Sequence, residues 1–124
     1  MRTDQQKILV VDHDTNSRAA YVSAIVPLGC LILEAQDGQQ GYEKFRAEGA
    51  DLIVSADAMP GLTGVEMVRK IRETDEEVPV LFLKRDGSGD LEDEAGELGN
   101  CKVLKEPFYP RQFRFLVEAA LNRR

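Results

Sequence analysis

Asp51-Leu-Ile-Val-Ser-Ala-Asp-Ala-Met-Pro-Gly-Leu-Thr-Gly64 is the stretch that decides how this chain folds. Leu52 to Val54 form a short apolar run that ends in a polar loop carrying Pro60, Gly61 and Gly64. That combination reads as a buried strand emptying into a tight connection.

The flanking sequence repeats the pattern. Lys7-Ile-Leu-Val-Val-Asp12 holds four consecutive apolar, mostly β-branched residues, as a strand covered on both faces requires, and this favours a parallel sheet. Leu31-Ile-Leu-Glu-Ala35, Val80-Leu-Phe-Leu83 and about Lys102 to Lys105 supply three more strands. Helical spacing fills the intervals. Asp14 or Thr15 caps a first helix whose Ala19, Val22 and Val26 give one buried stripe, ended by Pro27 and Gly29. Asp37-Gly38 opens a second, with Gly41 and Phe45 inward, closing at Gly49. Val65, Val68 and Ile71 mark a third, with Glu66, Arg69, Lys70 and Arg72 on its wet side. Arg85-Asp-Gly-Ser-Gly-Asp90 reads as a flexible connection to a short acidic helix carried by Leu91, Ala95 and Leu98 and weakened by Gly96. After Pro107 and Pro110, Phe113, Leu116, Val117, Ala120 and Leu121 form the clearest amphipathic pattern in the chain. Five strands alternating with five helices over short connections predict a single α/β domain across residues 1–124, a three-layer doubly wound parallel sheet.

Composition narrows the function. The chain has 124 residues, 43% hydrophobic and 31% charged, which suits one core in a soluble globular protein. Its 16 basic and 22 acidic side chains give a net charge of −6, against direct binding to a nucleic-acid backbone. No apolar stretch approaches a membrane span and Met1 to Gln6 is too polar for a secretory core, so a cytoplasmic protein without membrane contact is expected. Cys30 and Cys101 follow no metal spacing and are expected to be free thiols.

In an open sheet of this kind, ligands gather outside the carboxyl ends of the strands. Those ends carry Asp12 and His13, Ala56 and Asp57, Lys84, and Lys105 with Glu106. Charges converge at the end of a buried strand when they are paired or ligated, so the cluster is the candidate site.

Over almost its whole length the chain resembles the receiver domain of bacterial response regulators, a flavodoxin-like fold of the chemotaxis type. Asp12 ending the first strand, Met59-Pro60-Gly61 after the third, Gly64 opening the third helix, and the run from Gly99 to Pro107-Phe108 carry the resemblance. It implies strand order 2-1-3-4-5 and a phosphate-accepting aspartate four residues before Pro60. It also implies two adjacent acids holding Mg2+, a Ser or Thr ending the fourth strand, and a Lys before the Pro-Phe pair. Position by position, this chain keeps Asp12 but has His13 for the second acid, Ala56 for the acceptor, Lys84 for the hydroxyl residue, Glu106 for the lysine and Val103 for an aromatic residue. An alanine offers neither nucleophile nor metal ligand. The resemblance therefore implies an atypical receiver without a cofactor, binding Mg2+ weakly through Asp12 if at all, and not an enzyme.

The exchange of charges is reciprocal: the fourth strand gains Lys84 as the fifth trades its lysine for Glu106. On this reading Lys84 replaces the missing ammonium and pairs with Asp12 or Glu106. The alternatives are a Lys84 that reaches solvent, a His13 that is simply a loop residue, and Asp57 as a shifted acceptor with Mg2+. Side-chain alternation should turn Asp57 and Ser55 off the site. Phe108 reads as core. The interaction face the resemblance implies is Lys102, Val103, Tyr109 and Arg111 with the acidic helix beside them. Its partner would be a signalling protein, either a histidine kinase or an output protein, or a second copy in a homodimer. A basic partner surface would suit the acidic helix.

Overall fold

The computed structural model describes residues 5–85 and 89–122, so residues 86–88 of the expected flexible connection lie outside the described residues. Five strands, β1 (Lys7–Val11), β2 (Leu31–Ala35), β3 (Leu52–Ala56), β4 (Val80–Lys84) and β5 (Cys101–Lys105), form one sheet in the order β2-β1-β3-β4-β5. Every neighbouring pair is parallel. Helices α1 (Thr15–Ile25), α2 (Gly38–Glu48), α3 (Gly64–Arg72), α4 (Leu91–Leu98) and α5 (Pro110–Leu121) connect and follow the strands. This is the α/β flavodoxin-like architecture expected from the apolar runs.

Strand alternation divides the core in two. Leu9, Val11, Ile53 and Phe82 face one side and pack with Phe45, Met67, Val68, Ile71 and Leu91 of α2, α3 and α4. Ile8, Val10, Leu52, Val54, Leu81 and Leu83 face the other and pack with Tyr21 and Ile25 of α1 and Phe113 and Val117 of α5. Successive side chains of a strand point to opposite faces, so continuous apolar runs are what a sheet covered on both sides demands.

Helix starts follow from local chemistry. Asp14 Oδ2 accepts the Ser17 N–H at 2.9 Å and Asp37 Oδ1 the Gln40 N–H at 2.8 Å, each satisfying a donor the helix cannot pair internally. At α3, Thr63 and Glu66 exchange bonds in a capping box. The connection before it turns through Gly61, whose φ of +73° suits glycine. Gly64 then brings α3 onto the end of β3, where an added Cβ would lie 2.3 Å from the Ala56 carbonyl oxygen. Gly64→Ala is therefore expected to push α3 off the strand and to cost about 2 kcal/mol in urea unfolding.

Four readings of the sequence change. The buried stripe of α1 is Tyr21 and Ile25, with Ala19 and Val26 exposed. Apolar residues surround this helix from Ala19 to Val26, so spacing alone allowed more than one stripe, and the one that reaches Phe113 is buried. Arg72 does not sit on the wet side of α3. Its guanidinium folds over the start of β4 and donates to the carbonyls of Leu98 at 3.1 Å, Asp75 at 3.2 Å, Val78 at 2.8 Å and Gly99 at 2.7 Å. Phe108 is half-buried, stacked on Tyr21 and tilted against Phe113 at the rim of the core. The connection opened by Arg85 is held at that residue by side-chain bonds. Cys30 lies just before one edge strand and Cys101 begins the other, both as free thiols.

Candidate functional site

The carboxyl ends of β1, β3, β4 and β5 meet at one rim of the sheet. Asp12 leaves β1 with its side chain 0% exposed. Its Oδ1 accepts the Asp14 N–H at 2.9 Å, and its Oδ2 accepts from Nη2 of Arg85 at 3.2 Å. The same Nη2 donates to Ser17 Oγ at 3.0 Å, while Arg85 Nε lies 3.5 Å from Glu106 Oε1. The Tyr21 hydroxyl donates to the other carboxylate oxygen, Glu106 Oε2. One guanidinium thus bridges a fully buried carboxylate just after β1 and a half-buried one just after β5.

Lys84 does not make this bridge. Its Nζ donates to Glu92 Oε1 at 2.8 Å, in the first turn of α4, and the expected pairing of Lys84 with Asp12 or Glu106 is replaced by that of Arg85. Strand parity is the reason. Phe82 faces the α2, α3 and α4 side, so Lys84, two residues on, faces it too. Leu83 faces the α1 and α5 side, and Arg85 continues that side to Ser17, Tyr21 and Glu106.

The other candidate positions stand around this bridge. Ala56 ends β3 as a buried methyl group. Asp57 turns to α3, where its Oδ1 accepts the Val65 N–H at 3.2 Å and its carbonyl the Gly64 N–H at 2.9 Å. Ser55, fully buried, spends its hydroxyl on the Ala56 carbonyl. His13 is exposed, with Nδ1 4.0 Å from Asp12 Oδ1. On the far side of β5, Lys102, Tyr109 and Arg111 are exposed and Val103 is half-buried, so those interaction-face candidates share a surface only in part.

Burial sets the electrostatics. It pushes the Asp12 carboxyl above the usual carboxylate range, opposed by the Asp14 N–H and then by the Arg85 guanidinium. Burial, and then its bond to Glu106, pushes the Tyr21 phenol up. A magnesium ion, which the resemblance implies, does not fit this donor set. Mg2+ needs hard oxygens in near-octahedral array, and here both Asp12 oxygens are committed to an N–H and a guanidinium while position 56 offers none. Among the described residues no group of three His, Cys, Asp or Glu is placed to hold a metal.

Arg85, Ser17 and Tyr21 are the site residues that sequence reasoning missed. The parity of β4, extended one residue beyond Lys84, was the signal that would have found Arg85.

This rim geometry on a 2-1-3-4-5 sheet has relatives. The chain is 31% identical over 122 residues to the transcriptional regulatory protein ResD of Bacillus subtilis, covering 98% of this chain and 50% of that one. It is 25% identical over 116 residues to the response regulator receiver protein CpdR of Brucella abortus, covering 94% and 97%. The chemotaxis protein CheY4 of Vibrio cholerae superposes with a TM-score of 0.86 at 26% identity, covering 95% of this chain and 100% of that one. The chain spans about half the length of several curated relatives it matches, ResD among them. A family model matches residues 8–118, nearly the whole of the sheet and its helices, and by that match the chain belongs to the response regulator receiver domain family.

Proposed function

We propose that this receiver domain serves two-component signalling as a cytoplasmic protein-interaction module that works without phosphoryl transfer, is not an enzyme and makes no direct nucleic-acid contact. The observation that supports this reading is the Arg85 guanidinium set between Asp12 and Glu106, a cation supplied by the chain itself beside a strand end that carries Ala56. A neutral methyl group cannot form an acyl phosphate, and a pocket already holding a positive charge has little call for a divalent ion. Asp57, the alternative acceptor, has its carboxylate drawn to the start of α3.

Partner contacts fall to the surface of β5 and α5. Tyr109 and Phe115 stand 73% and 67% exposed. With Leu104, Leu116, Arg111 and Gln112 they line a groove of about 430 Å³. Exposed aromatic side chains beside an arginine are the composition of interface hot spots. Arg111 puts positive charge at the groove, so the basic partner expected from the acidic α4 suits that helix alone, and the groove itself suits an acidic surface on a signalling protein or a second copy.

The test is incubation with acetyl phosphate and magnesium followed by intact-mass measurement. The expected result is an unchanged mass. An adduct of one phosphoryl group that disappears in Asp57→Asn would overturn the proposal and make Asp57 a shifted acceptor.

A further inference from the structure

A cavity of about 240 Å³ lies at the amino-terminal end of the sheet, between β3, β4, β5 and the last turns of α5. Leu52 and Leu81, both buried, form its floor, and Leu116 and Ala120, both half-buried, roof it from the helix. Lys102 and Ala119 are exposed and stand at its mouth. Two positions leave the space. Register pairs Lys102 with Leu81 and Leu104 with Leu83, and Leu81, Leu83 and Leu104 all pack on the α1 and α5 side. Parity therefore turns Lys102 beneath α5, where the neighbouring strand carries leucine. On the helix, Ala120 offers a methyl group where Phe113 and Val117 fill the same face further along.

From this pairing of an apolar hollow with one cation we infer that the cavity binds a small organic acid, a single aromatic or branched aliphatic group carrying one carboxylate. The apolar part rests on Leu52, Leu81 and Ala120, and the carboxylate meets the Lys102 ammonium. Size and charge select this ligand. A dry apolar cavity of about 150 Å³ takes up benzene, so 240 Å³ holds one ring and a short acid arm. Among the described residues that line the cavity Lys102 is the one charged side chain, so an anion gains a partner there and a cation meets repulsion. Its ammonium has no hydrogen bond or ion pair among the described residues, so a ligand displaces nothing to reach it. A lysine on an edge strand also discourages pairing with a second sheet, but that purpose needs no hollow behind it. The cavity sits at the opposite end of the strands from Asp12 and Arg85. The inference is therefore independent of whether the domain accepts phosphate, and its failure would leave the mass measurement above untouched.

Phenylacetate and phenethylamine, which present one ring with opposite charges, test it by titration into the ¹⁵N-labelled domain. Phenylacetate is expected to move the amide signals of Leu81, Lys102 and Ala120 to saturation, and the amine to leave them still. Ala120→Leu, which fills the hollow, is expected to abolish those shifts. Lys102→Met, which keeps the hollow and removes the charge, is expected to weaken phenylacetate about tenfold. Lys102 is exposed, so its variant keeps the test valid if Ala120→Leu disturbs the fold. No saturable shift up to about 10 mM phenylacetate, equal binding of the amine, or full affinity in either variant would overturn the inference.

Discussion

Replacing Arg72 with alanine is expected to lower the unfolding free energy by about 3 kcal/mol, the product of losing several charge-assisted hydrogen bonds that water replaces only in part. The guanidinium serves four carbonyls drawn from two turns, Asp75 and Val78 before β4 and Leu98 and Gly99 before β5. It therefore fastens the amino-terminal end of the sheet, opposite the candidate site. A planar fork of five donors reaches carbonyls that diverge, and an ammonium does not, so Arg72→Lys should recover less than half of the loss. Urea denaturation of the two variants checks this, and a loss below about 0.5 kcal/mol in Arg72→Ala would mean that solvent serves those carbonyls as well as the side chain does.

Removing the other guanidinium tests the site. In Arg85→Ala the Asp12 carboxylate, fully buried, would face Glu106 with no cation between them. Breaking a buried ion pair by deleting one member costs several kcal/mol, but Arg85 is 38% exposed and water can enter in its place, so about 2 kcal/mol near neutral pH is expected. The loss should depend on pH with a defined sign. Burial already raises the Asp12 carboxyl above its unfolded value of 3.8, and without Arg85 it rises further. A folded state that holds its proton more tightly than the unfolded chain is stabilised at low pH and loses that stability as pH climbs through the folded value. Wild type and variant should thus unfold at similar urea concentrations near pH 4 and diverge toward neutrality. Arg85→Lys should narrow the gap. Equal stability at every pH would show that Asp12 does not depend on this cation.

These two arginines mark where sequence reading stopped. The strands are legible because a four-residue run such as Ile-Leu-Val-Val carries its own environment: only a sheet covered on both faces buries every member. The caps were legible for a similar reason, since Asp14 and Asp37 act within three residues of themselves. Arg72 joins the nearby Asp75 and Val78 carbonyls to that of Leu98, 26 residues on, and Arg85 reaches Asp12 across 73, partners that local spacing cannot reveal. Arg72 looked like a solvated charge because α3 places it beside Arg69 and Lys70. The rim positions are legible through the Met59-Pro60-Gly61 loop and the strand ends, but the reciprocal exchange of Lys84 and Glu106 points to a cation one residue too early, since it takes no account of the side to which β4 turns each side chain. With the strand running through Lys84, parity sends that side chain to Glu92 and its neighbour to the carboxylates.

The two cysteines stand at opposite margins of a five-stranded sheet. Burial raises both thiols above the usual range, Cys30 with help from Asp51, which keeps them slow to ionise and slow to react. About four strand spacings separate them, roughly 19 Å, far beyond the reach of one sulfur–sulfur bond. Oxidation that did join them would have to recruit neighbouring molecules, margin to margin, and each added copy would present a fresh thiol at its outer side. The product would be an open polymer of intact domains, not a bridged monomer.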